Sequence, residues 1–175
     1  MVRNPRYRYV FGPVSISQEY GQVSRELMVR YLGSAANDGA LLPSVRPRRP
    51  FPMRTPRGLD LEAVVDSLRG LEDLSEMVAD IEGGRGIPVL VRQYLHIGGR
   101  IACFNVDRDF SDVVDGLVVV DLVSTQRKLL ERYMGRDGAE QFFAFHQTMR
   151  RAATTTLRES ARPAPLGPDS LPEPV

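Results

Sequence analysis

Tryptophan is absent from the 175-residue sequence, and cysteine occurs once, at Cys103. A single cysteine cannot form a disulfide within the chain, so no feature points to an oxidising compartment. Histidine is also scarce: His96 and His146 lie fifty residues apart, and neither has a second histidine or cysteine at the spacing of zinc ligands. These absences predict a cytoplasmic protein without a metal site.

The sequence also has no large excess of positive or negative charge. Its 23 basic residues are balanced by 22 acidic ones, and the net charge is +1. That balance provides no general attraction to nucleic acid, so we expect no nucleic-acid partner. The longest apolar runs are short ones such as 118–120, far below the roughly 20 residues that a membrane-spanning helix needs. The basic residues at the start lead into no apolar run, and we expect no signal peptide.

Familiar catalytic motifs are missing too. The sequence has no G-x-S-x-G nucleophile motif and no Walker or Rossmann phosphate-binding motif. Cys103 lies within a predicted strand without a nearby base, which favours a buried structural cysteine. We expect His96 in the core or a pocket wall and His146 on an amphipathic helix. The sequence alone therefore assigns no catalytic residue.

What is present is the composition of a globular α/β domain, with 42% hydrophobic and 26% charged residues. β-branched and aromatic residues predict three strands, at 7–17, 100–107 and 116–123. The pair Gly12-Pro13 predicts a bulge in the first strand or an exit from it. We expect a hairpin connection at 109–115.

Apolar residues at a spacing of three and four predict helices between these strands and after them. The predicted helices span 18–32, 61–68, 71–81, 88–97, 126–134 and a segment that starts at 138. The predicted N-caps are Ser17, Asp60, Thr125 and Asp137. The helix at 88–97 is apolar nearly all round, so we expect it to be buried. The folded region is predicted to be 1–161, followed by a disordered, proline-rich tail at 162–175.

Four stretches, in this order, carry a resemblance to a known family. They are YRYVFGPVSIS at 7–17, GIPVLVRQYLHIGG at 86–99, FNVDRDF at 104–110 and DGLVVVDL at 115–122. By these motifs the chain resembles the C-terminal half of the GNAT-like N-acyltransferases that make ornithine-lipid precursors, a group with hemolysin-like relatives. The resemblance covers about 3–147 and implies a partial GNAT-like fold with a central mixed sheet flanked by helices.

The activity that this resemblance implies is the formation of an amide. A fatty acyl group, often 3-hydroxylated, passes from acyl carrier protein or acyl-CoA as co-substrate to the amine of ornithine or a similar amino acid, with no bound cofactor. The reaction belongs to membrane-lipid biosynthesis, which implies a cytoplasmic enzyme that can lie at the inner membrane face. Acyl carrier protein and the amino-acid acceptor are the implied partners.

The resemblance also implies substrate-binding residues. Asn105, Asp107 and Asp109 follow a strand, where polar side chains can face an acceptor pocket. The alternative is a turn in which they hydrogen-bond their own backbone. Tyr94, with Gln93, can line the acyl channel, and the alternative places Tyr94 in the core. The sequence leaves both pairs of alternatives open.

One part of the family pattern is absent. In the family an R/Q-x-x-G-x-G/A loop at a helix start holds the donor's phosphates. The nearest segment here, RYMGRD at 132–137, departs from that pattern at its last position. We therefore expect a C-terminal portion that acts with a missing N-terminal half or self-associates. The alternative is a non-catalytic accessory module that binds an acyl chain or an anionic partner.

An arginine–proline segment connects two of the predicted helices. Residues 41–58 hold five prolines and five arginines but no acid, which predicts an extended path. The segment can be a solvated linker, or Arg46, Arg48, Arg49 and Arg54 can dock an anionic partner such as acyl carrier protein or phospholipid head groups. Nucleic acid is the remaining alternative, although aromatic side chains for base stacking are scarce there.

Overall fold

The computed structural model describes residues 4–34 and 45–160, with side chains described up to 153. In chain order the elements are β1 (Tyr9–Ile16), α1 (Gln22–Ser34), α2 (Leu61–Ser67), α3 (Leu71–Ile81), α4 (Val89–His96), β2 (Gly99–Asp107), β3 (Val113–Asp121), α5 (Arg127–Met134) and α6 (Arg136–Ser160). The predicted tail at 162–175 and the first residues of the arginine–proline segment, 41–44, lie outside the described residues. In the described part, no helix combines the length and apolar character needed to cross a membrane.

The three strands form an antiparallel sheet in the order β1-β3-β2. A tight turn joins β2 to β3 in a hairpin, as the sequence predicts. The predicted α/β class is confirmed. The predicted mixed sheet is wrong for the described residues, because β1 and β2 run in the same direction but β3 lies between them and pairs antiparallel with both.

β1 is an edge strand, and its pairing with β3 is regular over its whole length. The predicted bulge or exit at Gly12-Pro13 is therefore wrong. Proline lacks the N–H group that a strand ladder uses, but an edge strand tolerates it because one side of the strand has no partner. The irregular pairing lies in β2 instead, between Ile101 and Phe104.

One face of the sheet packs against α1 and builds the core. Alternate side chains of β3 are buried there, from Val114 to Val120, and Leu27 and Met28 of α1 are almost fully buried. This alternation follows from the two-residue period of a strand. The opposite face of the sheet leaves apolar side chains partly or largely exposed. They are Tyr9, Phe11, Leu117 and Val119.

Of the four predicted N-caps, Asp60 is confirmed. Its Oδ1 accepts hydrogen bonds from the backbone N–H groups of Glu62 and Ala63, both at 3.1 Å. Ser17 has another role, because its hydroxyl oxygen accepts from the N–H of Glu19 at 3.2 Å in a turn that precedes α1. The helix consequently begins four residues later than predicted, at 22 rather than 18.

The predicted caps of the two C-terminal helices are wrong. The hydroxyl of Thr125 donates to the carbonyl oxygen of Ile97 at 3.1 Å. This hydrogen bond connects the residues that precede α5 with the C-terminal end of α4. Helix α5 then begins without a side-chain cap. Asp137 lies within the first turn of α6, where its charge suits the positive end of the helix dipole.

Helix α4 is mostly exposed, contrary to the prediction. Val91 is its one buried residue, whereas Val89 is 72% exposed and Leu90 is 62% exposed. The helix spans only eight residues and packs one side against β2, so an all-round apolar sequence leaves apolar side chains in solvent. His96, expected in the core or a pocket wall, is exposed as well.

We expect the chain to self-associate through β1. Within the described residues the outer edge of β1 has no partner strand, and Phe11 on the open face of the sheet is 73% exposed. An unpaired edge with apolar side chains beside it favours pairing with a second copy. Analytical ultracentrifugation should therefore show dimers or larger species.

The variant Phe11→Glu should shift that distribution towards monomer. At a dilution where the unmodified chain is also monomeric, the two melting temperatures should agree, since the side chain buries little surface within the chain. Met149→Glu is the matched control, because Met149 is also exposed, at 56%, and belongs to α6 rather than to the sheet. A monodisperse monomer of the unmodified chain would contradict the expectation.

Candidate functional site

A pocket lined by arginines lies where α1, the arginine–proline segment and the β2–β3 turn meet. Its volume is about 580 Å³. The charged side chains of its lining are Arg25, Arg49, Arg54, Arg108 and Asp112. We call this cavity the arginine pocket. It contains two of the four predicted docking arginines, Arg49 and Arg54.

Glu26 of α1 anchors one end of this part of the segment. Its side chain is fully buried, and its carboxylate accepts hydrogen bonds from the backbone N–H of Arg54, from the hydroxyl of Thr55 at 2.7 Å and from the side-chain amide of Gln22 at 3.0 Å. Burial alone would raise the pKa of Glu26, but these hydrogen bonds outweigh it and hold the pKa below its ordinary value of 4.5. Ionised Glu26 thus fixes the backbone of Arg54 at the pocket.

Asn105 of β2 anchors the other end. Its Oδ1 accepts a hydrogen bond from the backbone N–H of Arg49 at 2.8 Å, and the N–H of Val106 donates to the carbonyl oxygen of Arg49, also at 2.8 Å. Pro50 forms an isolated bridge with Asn105, so the segment follows the outer edge of β2. The arginine–proline segment is therefore attached to β2 at Arg49 and to α1 at Arg54. A solvated linker would lack such attachments.

Asp107 holds the turn that carries Arg108. Its Oδ1 accepts hydrogen bonds from the backbone N–H groups of Asp109 at 2.9 Å and Phe110 at 3.2 Å. Asp107 therefore bonds local backbone, as the turn alternative predicts, and Asp109 is exposed. The predicted acceptor-site residues lie beside the arginine pocket without lining it. Their contact with a substrate stays a prediction.

An apolar groove lies between α4, α5 and the far end of the sheet. Its volume is about 340 Å³. Its aliphatic lining residues are Val10, Leu90, Ile97, Val120, Leu122, Leu129, Leu130 and Met134. Tyr94, Gln93 and Tyr133 add side chains with polar ends. The structure thus brings the two predicted channel residues, Tyr94 and Gln93, together in one apolar groove.

The arginine pocket and the apolar groove lie at opposite ends of the same sheet face. Val106 lines the pocket and pairs with Val114, whereas Val120 lines the groove six residues further along β3. At roughly 3.3 Å per residue, the two sites are about 20 Å apart along the strand. They are therefore separate sites rather than parts of one cavity.

The remaining predicted residues add nothing to either site. Arg46 and Arg48 are exposed and do not line the arginine pocket. Cys103 is partly buried in β2, and burial raises the pKa of its thiol, which disfavours the reactive thiolate. Over residues 4–34 and 45–160, no group of three or more acidic, histidine or cysteine side chains is arranged to hold a metal ion.

The sequence did not point to two arginines that line the pocket, Arg25 and Arg108, or to Glu26, which holds Arg54 beside it. Arg25 and Glu26 adjoin the apolar stripe of α1, where charged side chains are ordinarily exposed. Only the approach of the arginine–proline segment gives Glu26 its hydrogen-bond donors. Arg108 lies between the two aspartates of the FNVDRDF motif. The sequence analysis predicted substrate binding by these aspartates and assigned no role to the arginine.

Relatives do not assign a function to these two sites. No family model, curated protein or solved structure matches the chain. The geometry of the two sites and the motifs of the sequence therefore carry the functional argument.

Removal of the Glu26 carboxylate should detach the arginine–proline segment from α1. Glu26→Ala leaves the N–H of Arg54 and the hydroxyl of Thr55 without their acceptor. We expect the free energy of unfolding, measured by urea denaturation, to fall by about 2–4 kcal/mol. Glu76→Ala, at an exposed glutamate of α3, is the control and should change stability by less than about 0.5 kcal/mol.

The same anchor should make stability depend on pH. Because the pKa of Glu26 is lower in the folded protein than in the unfolded chain, its contribution is complete above the unfolded value and is lost as the pH falls through the folded value. Below the ordinary pKa of 4.5, the unmodified chain should therefore lose stability more steeply than Glu26→Gln. Parallel curves for the two proteins would rule out an ionised anchor.

Proposed function

We propose that the chain acts in acyl transfer to an amine, as an N-acyltransferase with a partial GNAT-like fold or as the C-terminal portion of one. The donor is a fatty acyl group, 3-hydroxylated and carried by acyl carrier protein. The acceptor is the amine of ornithine or a similar amino acid. The observation that carries this proposal is the apolar groove, in which Tyr94 and Gln93 lie beside the exposed Leu90.

The groove suits an acyl chain because its walls are mainly aliphatic and one side, formed by α4, is open to solvent. Each methylene group that moves from water into an apolar site contributes about 0.8 kcal/mol, so a long chain can bind without any charged contact. A few polar groups on such a wall fix the orientation of the ligand. Tyr94, Gln93 and Tyr133 are in position to contact the thioester end or the 3-hydroxyl group.

The exposed arginines complete the proposal. Arg46, Arg48, Arg49 and Arg54 form a run of positive charge without an intervening acid. Acyl carrier protein is acidic, and clustered guanidinium groups pair well with carboxylates and phosphates. In this proposal the carrier protein docks on the arginine–proline segment.

A non-catalytic module that binds an acyl chain or an anionic partner is the second candidate. The segment at 132–137, the nearest match to a donor loop, forms the end of α5 and the start of α6 rather than a loop between a strand and a helix. Asn105 and Asp107 use their side chains to hold backbone. Both observations favour a module that binds its ligand without catalysing a reaction.

The groove can be tested by titrating the chain with a 3-hydroxy fatty acid and following tyrosine fluorescence. Leu90→Asp places a charge in the groove and should weaken binding roughly ten- to hundredfold, because a buried leucine contributes about 1.5–3 kcal/mol. Val89→Asp is the matched control. Val89 is the neighbouring exposed residue of α4 but does not line the groove, so its substitution should leave binding unchanged. Equal loss in both variants would argue against the groove.

A transfer assay separates the two candidate functions. Because the sequence has no donor-phosphate loop, we expect no transfer from 3-hydroxyacyl carrier protein to ornithine by the 175-residue chain alone. Transfer should appear when a polypeptide from the same genome that carries an R/Q-x-x-G-x-G/A loop is added, and Leu90→Asp should then abolish it. Acyl binding without transfer in either condition would favour the non-catalytic module.

A further inference from the structure

The arginine pocket concentrates positive charge, which nearby carboxylates offset only in part. Glu26 is ionised behind Arg54, and Arg25 acts electrostatically on Glu82. Four arginines and one aspartate line the pocket, and with the ionised Glu26 behind Arg54 an excess of two positive charges remains, whereas the net charge of the whole sequence is +1. Five other arginines form ion pairs with acidic residues, but no ion pair within the described ranges involves any of these four. Like charges held this close repel one another, so an anion bound among them would stabilise the pocket.

The backbone that carries the arginines of the pocket is also held in place. The backbones at Arg49 and Arg54 and the turn around Arg108 are fixed by the hydrogen bonds of Asn105, Glu26 and Asp107. The fourth arginine stands on α1, with its guanidinium 5.9 Å from the ring centre of Phe51 and its Nε buried without a hydrogen-bond partner. The side chains of Arg49, Arg54 and Arg108 are exposed and extend from this fixed backbone, so less backbone entropy is lost when a ligand binds.

We propose that the arginine pocket binds the phosphate group of a phosphate- or diphosphate-bearing ligand. A phosphate carries up to two negative charges and presents several oxygens, and it can accept paired hydrogen bonds from guanidinium groups that approach from different directions. A single carboxylate has one charge and two oxygens, too few to offset an excess of two positive charges and to engage four guanidinium groups. The volume of about 580 Å³ leaves room for more than one phosphate group.

This inference does not depend on acyl binding in the apolar groove, although Arg49 and Arg54 also belong to the surface on which acyl carrier protein is proposed to dock. The pocket lies about 20 Å along β3 from the apolar groove, and different elements build the two sites. Phosphate binding and acyl binding therefore fail or succeed separately. Two kinds of molecule can present such a phosphate group to the pocket. One is a soluble phosphorylated ligand, and the other is an anionic phospholipid with its head group.

The test is calorimetric titration of the full chain with sodium pyrophosphate, alongside sedimentation with phosphatidylcholine vesicles that contain phosphatidic acid. Pyrophosphate should bind saturably, and Arg49→Ala combined with Arg54→Ala should weaken binding about tenfold or more. These substitutions keep the backbone hydrogen bonds to Asn105 and Glu26, so an unchanged melting temperature shows that the variant folds. If it melts earlier, Arg108→Ala on the exposed turn replaces it in the test.

The control is Arg57→Ala combined with Arg100→Ala. It removes the same number of charges from exposed positions outside the pocket, and it should weaken binding by less than about twofold. Binding of soluble pyrophosphate indicates a soluble ligand, and binding to phosphatidic acid vesicles alone indicates a lipid head group. The proposal is overturned if neither probe binds, or if the control loses as much affinity as the pocket variant.

Discussion

The arginine pocket and the path of the arginine–proline segment depend on one buried carboxylate, that of Glu26. A charge removed from water requires donors within the protein, because an unpaired buried charge is strongly destabilising. The donors to Glu26 are the backbone N–H of Arg54, the hydroxyl of Thr55 and the side-chain amide of Gln22. A segment whose composition predicts only an extended path is thereby attached to the core, and its arginines are brought to the sheet.

The central position of β3 explains why two chemically different sites share one sheet face. At the hairpin end, the β2–β3 turn and the arginine–proline segment supply guanidinium groups. At the other end, α4 and α5 diverge and leave aliphatic side chains uncovered. The core between them is filled by Ile101 and Val118.

Secondary structure was predictable where local chemistry decides it. All three strands were predicted, because β-branched residues alternate along them, and Asp60 capped its helix because an aspartate there accepts from two free N–H groups. The prediction that α4 is buried was wrong, and the reason lies in the tertiary structure. An apolar sequence favours burial. However, α4 is an eight-residue helix beside a three-stranded sheet, and too little structure surrounds it to cover Val89 and Leu90.

The sequence by itself determined the α/β class, the strand positions and the extended arginine–proline segment, since each follows from side-chain chemistry over a few neighbouring residues. Tertiary structure alone decided the antiparallel order of the sheet and the partners of Glu26 and Asn105. It also decided how arginines from three separate elements converge on one pocket. Such contacts join residues 28 to 56 positions apart, and no local pattern encodes which distant group will satisfy a buried hydrogen bond.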